Sequence, residues 1–340
     1  MLSALAENHR VLCLGQVISL FITITSICTQ ELTLNYGVQL ATTQSVGNYF
    51  LLMGYLVYRW WTNKGNGLAS ETPWWKYALL AFADVEANFL VVLAYKYTTI
   101  SSAMLLDCFT LPVVMFLSIT FLQAKYSTEH YVGVSLCLFG ILFLVVSDIL
   151  NYKGTSFGAD SFNTNALIGD LLSLLGSTVY GVSNVAQEYF VKTTSRTEFL
   201  GNLGLYGFCI CACQAFLYER EAFLAVSWST GSATFLSIYV AALFLMYSIT
   251  AIMLREGDSA IFNMSLLTSD FFGLLAGVYL FHESLSWLYC IGFVAILAGL
   301  VVYTRAQPPT SISKVAQHPD DACLRLLPEK SPINAGGVVV

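Results

Sequence analysis

The sequence predicts an all-α integral membrane protein of ten transmembrane helices, arranged as a 5+5 inverted-topology repeat. Composition is the first reason: 56% of the 340 residues are hydrophobic and 11% charged, and mean hydropathy is +0.68. A soluble domain carries about a quarter charged residues, and this chain could not cover a globule with polar groups. The second is ten apolar runs of about 20 residues, the length needed to cross a hydrocarbon core of about 30 Å. The third is a likeness between the first five runs and the last five.

The runs cover 11–34, 41–59, 76–95, 101–122, 130–150, 166–190, 199–218, 233–254, 259–281 and 286–304. Span 1 is too long for the apolar region of a signal peptide and is expected to act as its own insertion signal. All six tryptophans (Trp60, Trp61, Trp74, Trp75, Trp228, Trp287) fall at or near span ends, where an interfacial belt is expected. Pro112 is the only proline within a span, while five of the seven lie after Arg305. The expected organisation is a short N-terminus (1–10), a first five-helix repeat (11–150), a linker (151–165), a second repeat (166–305) and a disordered tail (306–340). Eight of the nine cysteines sit inside apolar runs as packing residues, and only Cys323 lies in a polar segment.

Ten spans put both termini on one side. That side, with loops 2–3, 4–5, 6–7 and 8–9, holds twelve Lys and Arg, against Lys96, Lys153 and Arg220 on the other. Such a split predicts cytosolic termini. The repeat shows in 14–20, LGQVISL, and 168–174, IGDLLSL, whose offset also pairs Gln16 with Asp170, Ser19 with Ser173, Thr23 with Ser177 and Gln30 with Asn184. In the later spans Gly133 and Gly140 match Gly292 and Gly299. A duplicated unit with an odd number of spans enters the membrane in opposite senses, the architecture on which alternating-access transporters rock.

Polar residues form stripes. Gln16, Ser19, Thr23, Ser26 and Gln30 share a face of span 1; Asp170, Ser173, Ser177, Gly181, Asn184 and Glu188 share one of span 6. Stripes like these must face protein or water, either as a cavity wall or as hydrogen-bonding glue between helices. In span 3, Tyr77, Asp84, Asn88 and Tyr95 lie together, with Glu86 on the opposite side. Asp107 sits a turn and a half before Pro112, and Asn263 and Asp270 share a face of span 9. An ionised group at mid-membrane costs at least about 2.5–3.5 kcal/mol, so each acid is a candidate for function. A cavity lined by acids should repel a diphosphate and suit a neutral or amine-bearing solute, or protons. A net charge of −6 and a pI near 5.2 speak against nucleic acid as a partner. No metal spacing, nucleophile elbow or phosphate loop occurs, and no cofactor or enzyme activity is expected.

At ADVEAN, AYKYTT, LLDCF and SNVAQEYFVK the chain resembles the F subfamily of solute carrier family 35, in the drug/metabolite transporter superfamily, from about residue 11 to 305. That resemblance implies ten helices, an inverted repeat and cytosolic termini. Nucleotide-sugar carriers of the wider family have a Gly-Ala-Leu-Asn-Lys motif opening span 9. Here Ala260, Ile261, Phe262, Asn263 and Met264 stand there, so the asparagine is kept and the lysine is not. Members of the F subfamily are linked to uptake of queuine and its nucleoside queuosine, flat polar heterocycles with a secondary amine. Relatives also have a longer N-terminal tail than the ten or so residues before span 1.

The expectation is therefore a secondary transporter with a mid-membrane cavity among spans 1, 3, 4, 6, 8 and 9. Its partners would be a small-molecule solute and membrane lipid. Asp84, Asn88, Tyr95, Asp107, Tyr180, Asn184 and Asn263 would touch solute; Glu86, Asp170, Glu188 and Asp270 would handle protons or brace helices. The plasma membrane is the expected location, with Golgi or endosome as the alternative. A nucleotide-sugar carrier and a non-transporting scaffold or receptor are the competing functions.

Overall fold

The computed structural model describes residues 2–62, 72–122, 125–151, 164–256, 259–282 and 286–306. The linker and tail assigned from sequence therefore lie almost wholly outside the described residues, as does Cys323. Within them are ten helices, among them helix 2 (Thr43–Thr62), helix 3 (Trp74–Ala94), helix 5 (Thr128–Asn151), helix 6 (Thr164–Thr193), helix 8 (Thr230–Glu256) and helix 9 (Ser259–Tyr279). Helix 10 (Trp287–Arg305) starts at the Ser286 cap, whose hydroxyl accepts from the Tyr289 amide. By length and composition, seven of the helices can cross a membrane among the described residues.

Helices 1, 4 and 7 depart from the expected runs. Helix 1 (Leu2–Leu34) starts nine residues earlier than its apolar run, since the preceding residues contain no Gly or Pro to stop it. Helix 4 is two pieces, Ile100–Leu106 and Thr110–Leu122, joined by a 3₁₀ turn at Asp107–Phe109. Pro112 has no N–H for the carbonyl of residue 108, and the chain tightens one turn ahead of it. Helix 7 (Arg196–Gln214) continues through a π turn, Ala215–Glu219, into Arg220–Ala225, past the expected end at 218.

Helices 5 and 10 pack most extensively, followed by 2 with 7, 1 with 8, 3 with 6, and 1 with 9; helix 4 lies against both 9 and 6. Exchanging helix 1 for 6, 2 for 7, 3 for 8, 4 for 9 and 5 for 10 returns the same set for these larger contacts. The 5–10 seam depends on glycine. A Cβ on Gly133 would meet the Gly299 carbonyl oxygen at 2.6 Å, and one on Gly140 would meet that of Gly292 at 2.6 Å. Close backbone approach brings dispersion and Cα–H···O contacts, which stand in for a hydrophobic drive that lipid does not supply. At one end of the seam the hydroxyls of Ser147 and Ser286 lie 2.6 Å apart.

Both ends of the 2–7 pair are fastened by an anion at a helix N-terminus. At one, Glu198 in the first turn of helix 7 meets Arg59 in the last turn of helix 2 at 3.0 Å and accepts from the Tyr77 hydroxyl. At the other, Glu219 accepts from the Thr42 and Thr43 amides at 2.8 and 2.7 Å, where helix 2 begins. Each acid compensates the positive end of a helix dipole.

Two outcomes are expected. Gly140→Val should push helices 5 and 10 apart and lower the melting temperature of the detergent-purified protein by about 5 °C or more. Glu198→Gln removes the charge that meets Arg59 across the 2–7 seam and should cost about 1–3 kcal/mol. Exchanging the two residues, Arg59→Glu with Glu198→Arg, should recover part of that loss; thermal unfolding of all three variants checks it.

Candidate functional site

Between helices 1, 3, 4, 6, 8 and 9 lies a cavity with about 950 Å³ of empty volume, its open mouth included. Each helix brings a polar group or ring to the wall: Ser26, Asn88, Asp107, Tyr180, Tyr247 and Phe262 are one from each. Apolar side chains such as Ile22, Val91, Met104 and Leu243 fill the gaps. Neither Lys nor Arg is among the described lining residues.

Asp84 is the most heavily bonded group in the wall and is fully buried. Its Oδ2 accepts the hydroxyls of Tyr49 at 2.7 Å and Tyr247 at 2.6 Å, and its Oδ1 accepts Ser183 at 3.0 Å and Gln187 at 3.1 Å. Helices 2, 6 and 8 thus converge on one carboxylate of helix 3. Among the described residues no ion pair involves it. One turn on, the Asn88 amide donates to the Tyr247 and Tyr49 oxygens at 2.9 and 3.1 Å, and its Oδ1 accepts the Tyr180 hydroxyl at 2.8 Å.

Asp107 is placed differently. The break in helix 4 leaves it half-buried on the cavity wall, where Thr110 donates to its Oδ1 at 3.1 Å. Tyr95 also lines the cavity and gives its hydroxyl to Ser26 at 2.9 Å. Asn184 faces the cavity and donates to Asn263 Oδ1 at 3.3 Å, which joins helices 6 and 9.

The remaining acids stand elsewhere. Glu86 turns away and accepts from Gln214 of helix 7 in a short hydrogen bond. Asp170 accepts from Thr98 at 3.1 Å and does not line the cavity. Glu188 pairs with Lys192 one turn along its own helix at 2.6 Å. The side chains of Asp270 and Met264 are outside the described part of the structure. The helix 1 stripe divides: Gln16 and Thr23 bond to Thr268 and the Ser269 carbonyl of helix 9, while Ser26 opens on the cavity. Both roles weighed for the stripe, glue and wall, are present along one helix.

Sequence reasoning missed Tyr49, Ser183, Gln187, Tyr239 and Tyr247. Tyr239 and Tyr247 lie about two turns apart on helix 8 and share a face with Leu243 and Thr250, a signal available from spacing alone. Tyr49 follows Gln44, Ser45 and Asn48, a polar face on helix 2 that was also readable.

A ten-helix membrane bundle around a polar cavity, six helices contributing to its wall, has the form of a small-molecule transporter. The SLC35F model of solute carrier family 35 matches residues 6–305, and the chain belongs to that family of membrane transporters. Solute carrier family 35 member F2 of Mus musculus is 38% identical over 312 residues, covering 89% of this chain and 81% of its own. The Xenopus tropicalis member F2 is 36% identical over 298 residues, covering 85% and 75%. A solved crystal structure superposes with a TM-score of 0.60 at 16% identity, over 87% of this chain and 96% of that one, and has the same fold.

Proposed function

We propose that this chain is a secondary transporter working by alternating access on an inverted 5+5 repeat, with its termini in the cytosol and its place in the plasma membrane. Its cargo is a small, flat, polar solute of the nucleobase or nucleoside kind carrying an amine, such as queuine or queuosine. The observation that carries this is the half-buried Asp107, set at the break of helix 4 in a cavity whose described lining contains rings and acids but no cation. A carboxylate there would pair with an amine, and Tyr95 and Tyr180 would stack on a heterocycle. A phosphorylated sugar nucleotide would meet like charge in that wall. The larger helix contacts, which are the same on exchange of halves, support the repeat, since each half can then rock against the other about the cavity.

The test is uptake of labelled queuine and queuosine by cells that lack import of their own and express this chain. Uptake should rise with expression, and Asp107→Asn should lower it by about tenfold or more, the scale of a lost charge-assisted hydrogen bond. Normal uptake by chains carrying Asp84→Asn and Asp107→Asn together would remove the acids from the mechanism.

A further inference from the structure

The hydrogen bonds leading from the cavity surface to Asp84 all run in one direction. Tyr180 donates to Asn88 Oδ1, the Asn88 amide donates to the Tyr247 oxygen, and Tyr247 donates to Asp84 Oδ2. An ionised carboxylate only accepts, so the direction is imposed from its end. Tyr247 must spend its hydrogen on Asp84, which leaves its oxygen to accept from Asn88. That fixes which way the Asn88 amide turns, and the exposed carbonyl then takes the hydrogen of Tyr180. What Tyr180 turns to the cavity is lone pairs.

Other lining groups have the same polarity. Tyr95 donates to Ser26, Thr25 donates to the Ile22 carbonyl, and Gln187 gives its N–H groups to Asp84 and Ser183. With Asp107, these present oxygen acceptors to the cavity. The hydroxyls of Ser26 and Thr250 and one N–H of Asn184 are donors left uncommitted among the described lining residues, and the Tyr239 hydroxyl shares one hydrogen bond with Ser45 in which either can donate.

We propose that Asp84, without touching solute, sets the hydrogen-bond polarity of the cavity, so that the site selects solutes by the N–H groups they present. Asp84 is thus a specificity-determining positioning residue, where the sequence alone suggested a direct contact. The inference rests on the cavity being the solute site. Replacing the carboxylate by an amide, Asp84→Asn, supplies a donor at the root of the relay. The new amide N–H can donate to Tyr247, Tyr247 to a turned Asn88, Asn88 to Tyr180, and Tyr180 to the cavity. A single buried substitution would then reverse what a surface two residues away offers.

Indole and benzofuran test this, since they are neutral rings of one shape that differ in an N–H donor against an ether oxygen. Their binding to the full chain in lipid nanodiscs is read by ligand-observed NMR, with empty nanodiscs subtracted. The native chain should prefer indole by about tenfold, the equivalent of one good hydrogen bond. Asp84→Asn should bring the ratio to about one or invert it. Equal binding of both rings by the native chain overturns the proposal, as does an indole preference kept by folded Asp84→Asn. Should that variant fail to fold, Tyr180→Phe decides, because it removes the last oxygen of the relay and keeps all four donors on Asp84. It should narrow the indole preference with benzofuran affinity intact, since one acceptor of several is removed, and an unchanged preference overturns the proposal. Binding is read without any crossing of the membrane. Selective binding by a chain that moves no solute would therefore sink the transport reading alone, and unselective binding by an active transporter would sink this one alone.

Discussion

A carboxylate buried in a membrane bundle has no water to solvate it, and Asp84 has no cation beside it among the described residues either. Four donors close on it from helices 2, 6 and 8, the arrangement that a carboxylate in such a place needs. That requirement brings together helices from both halves of the chain and fixes their rotation, since each must turn one particular side chain inward. The aromatic wall of the cavity follows from the same demand: Tyr247 is in the wall because its hydroxyl is needed behind it. Strength of binding to Asp84 and shape of the site are therefore not separable.

The packing seams obey a second constraint, that of symmetry. Under the proposed repeat, a helix that touches its own counterpart would straddle the axis relating the halves. Helices 5 and 10 do this, so Gly133 and Gly140, which match Gly292 and Gly299 as copies, are also opposed as contacts. Helices 2 and 7 are joined at both ends by acids of helix 7, Glu198 against Arg59 and Glu219 against the Thr42 and Thr43 amides.

Much of this was legible in the sequence because membrane insertion writes strong, local signals. Apolar length located the helices, and spacing at 100° per residue put Asp84, Asn88 and Tyr95 together on helix 3. Where sequence reasoning stopped, the missing quantity was long-range. Spacing shows that Asp84 and Asn88 face one way, and it cannot show that Tyr49, 35 residues earlier, and Tyr247, 163 residues later, arrive to occupy them. A tyrosine in an apolar run looks like core until its hydroxyl partner is known. The helix ends slipped for a different reason: hydropathy marks where the hydrocarbon stops, while a helix stops only where capping or a breaker ends it. Helix 1 and helix 7 both outrun their apolar segments on that account.

Asp84 and Asp107 are both carboxylates of the cavity wall, and their difference follows from backbone geometry. Asp84 stands in the middle of an unbroken helix, whose neighbours on every side are other helices able to send donors. Asp107 begins the 3₁₀ turn that Pro112 forces, and at that point the helix gives way and the side chain stays partly open to the cavity. An acid with all its acceptor sites filled from within the bundle can orient its neighbours, but it has little left for a solute. An acid with few protein donors and an open side can exchange that opening for the N–H of a solute, and can lose it again at little cost. Under the proposed transport role, Asp84 would hold the shape of the site through its cycle and Asp107 would let go of the cargo. The backbone difference between them begins at a proline five residues downstream of Asp107.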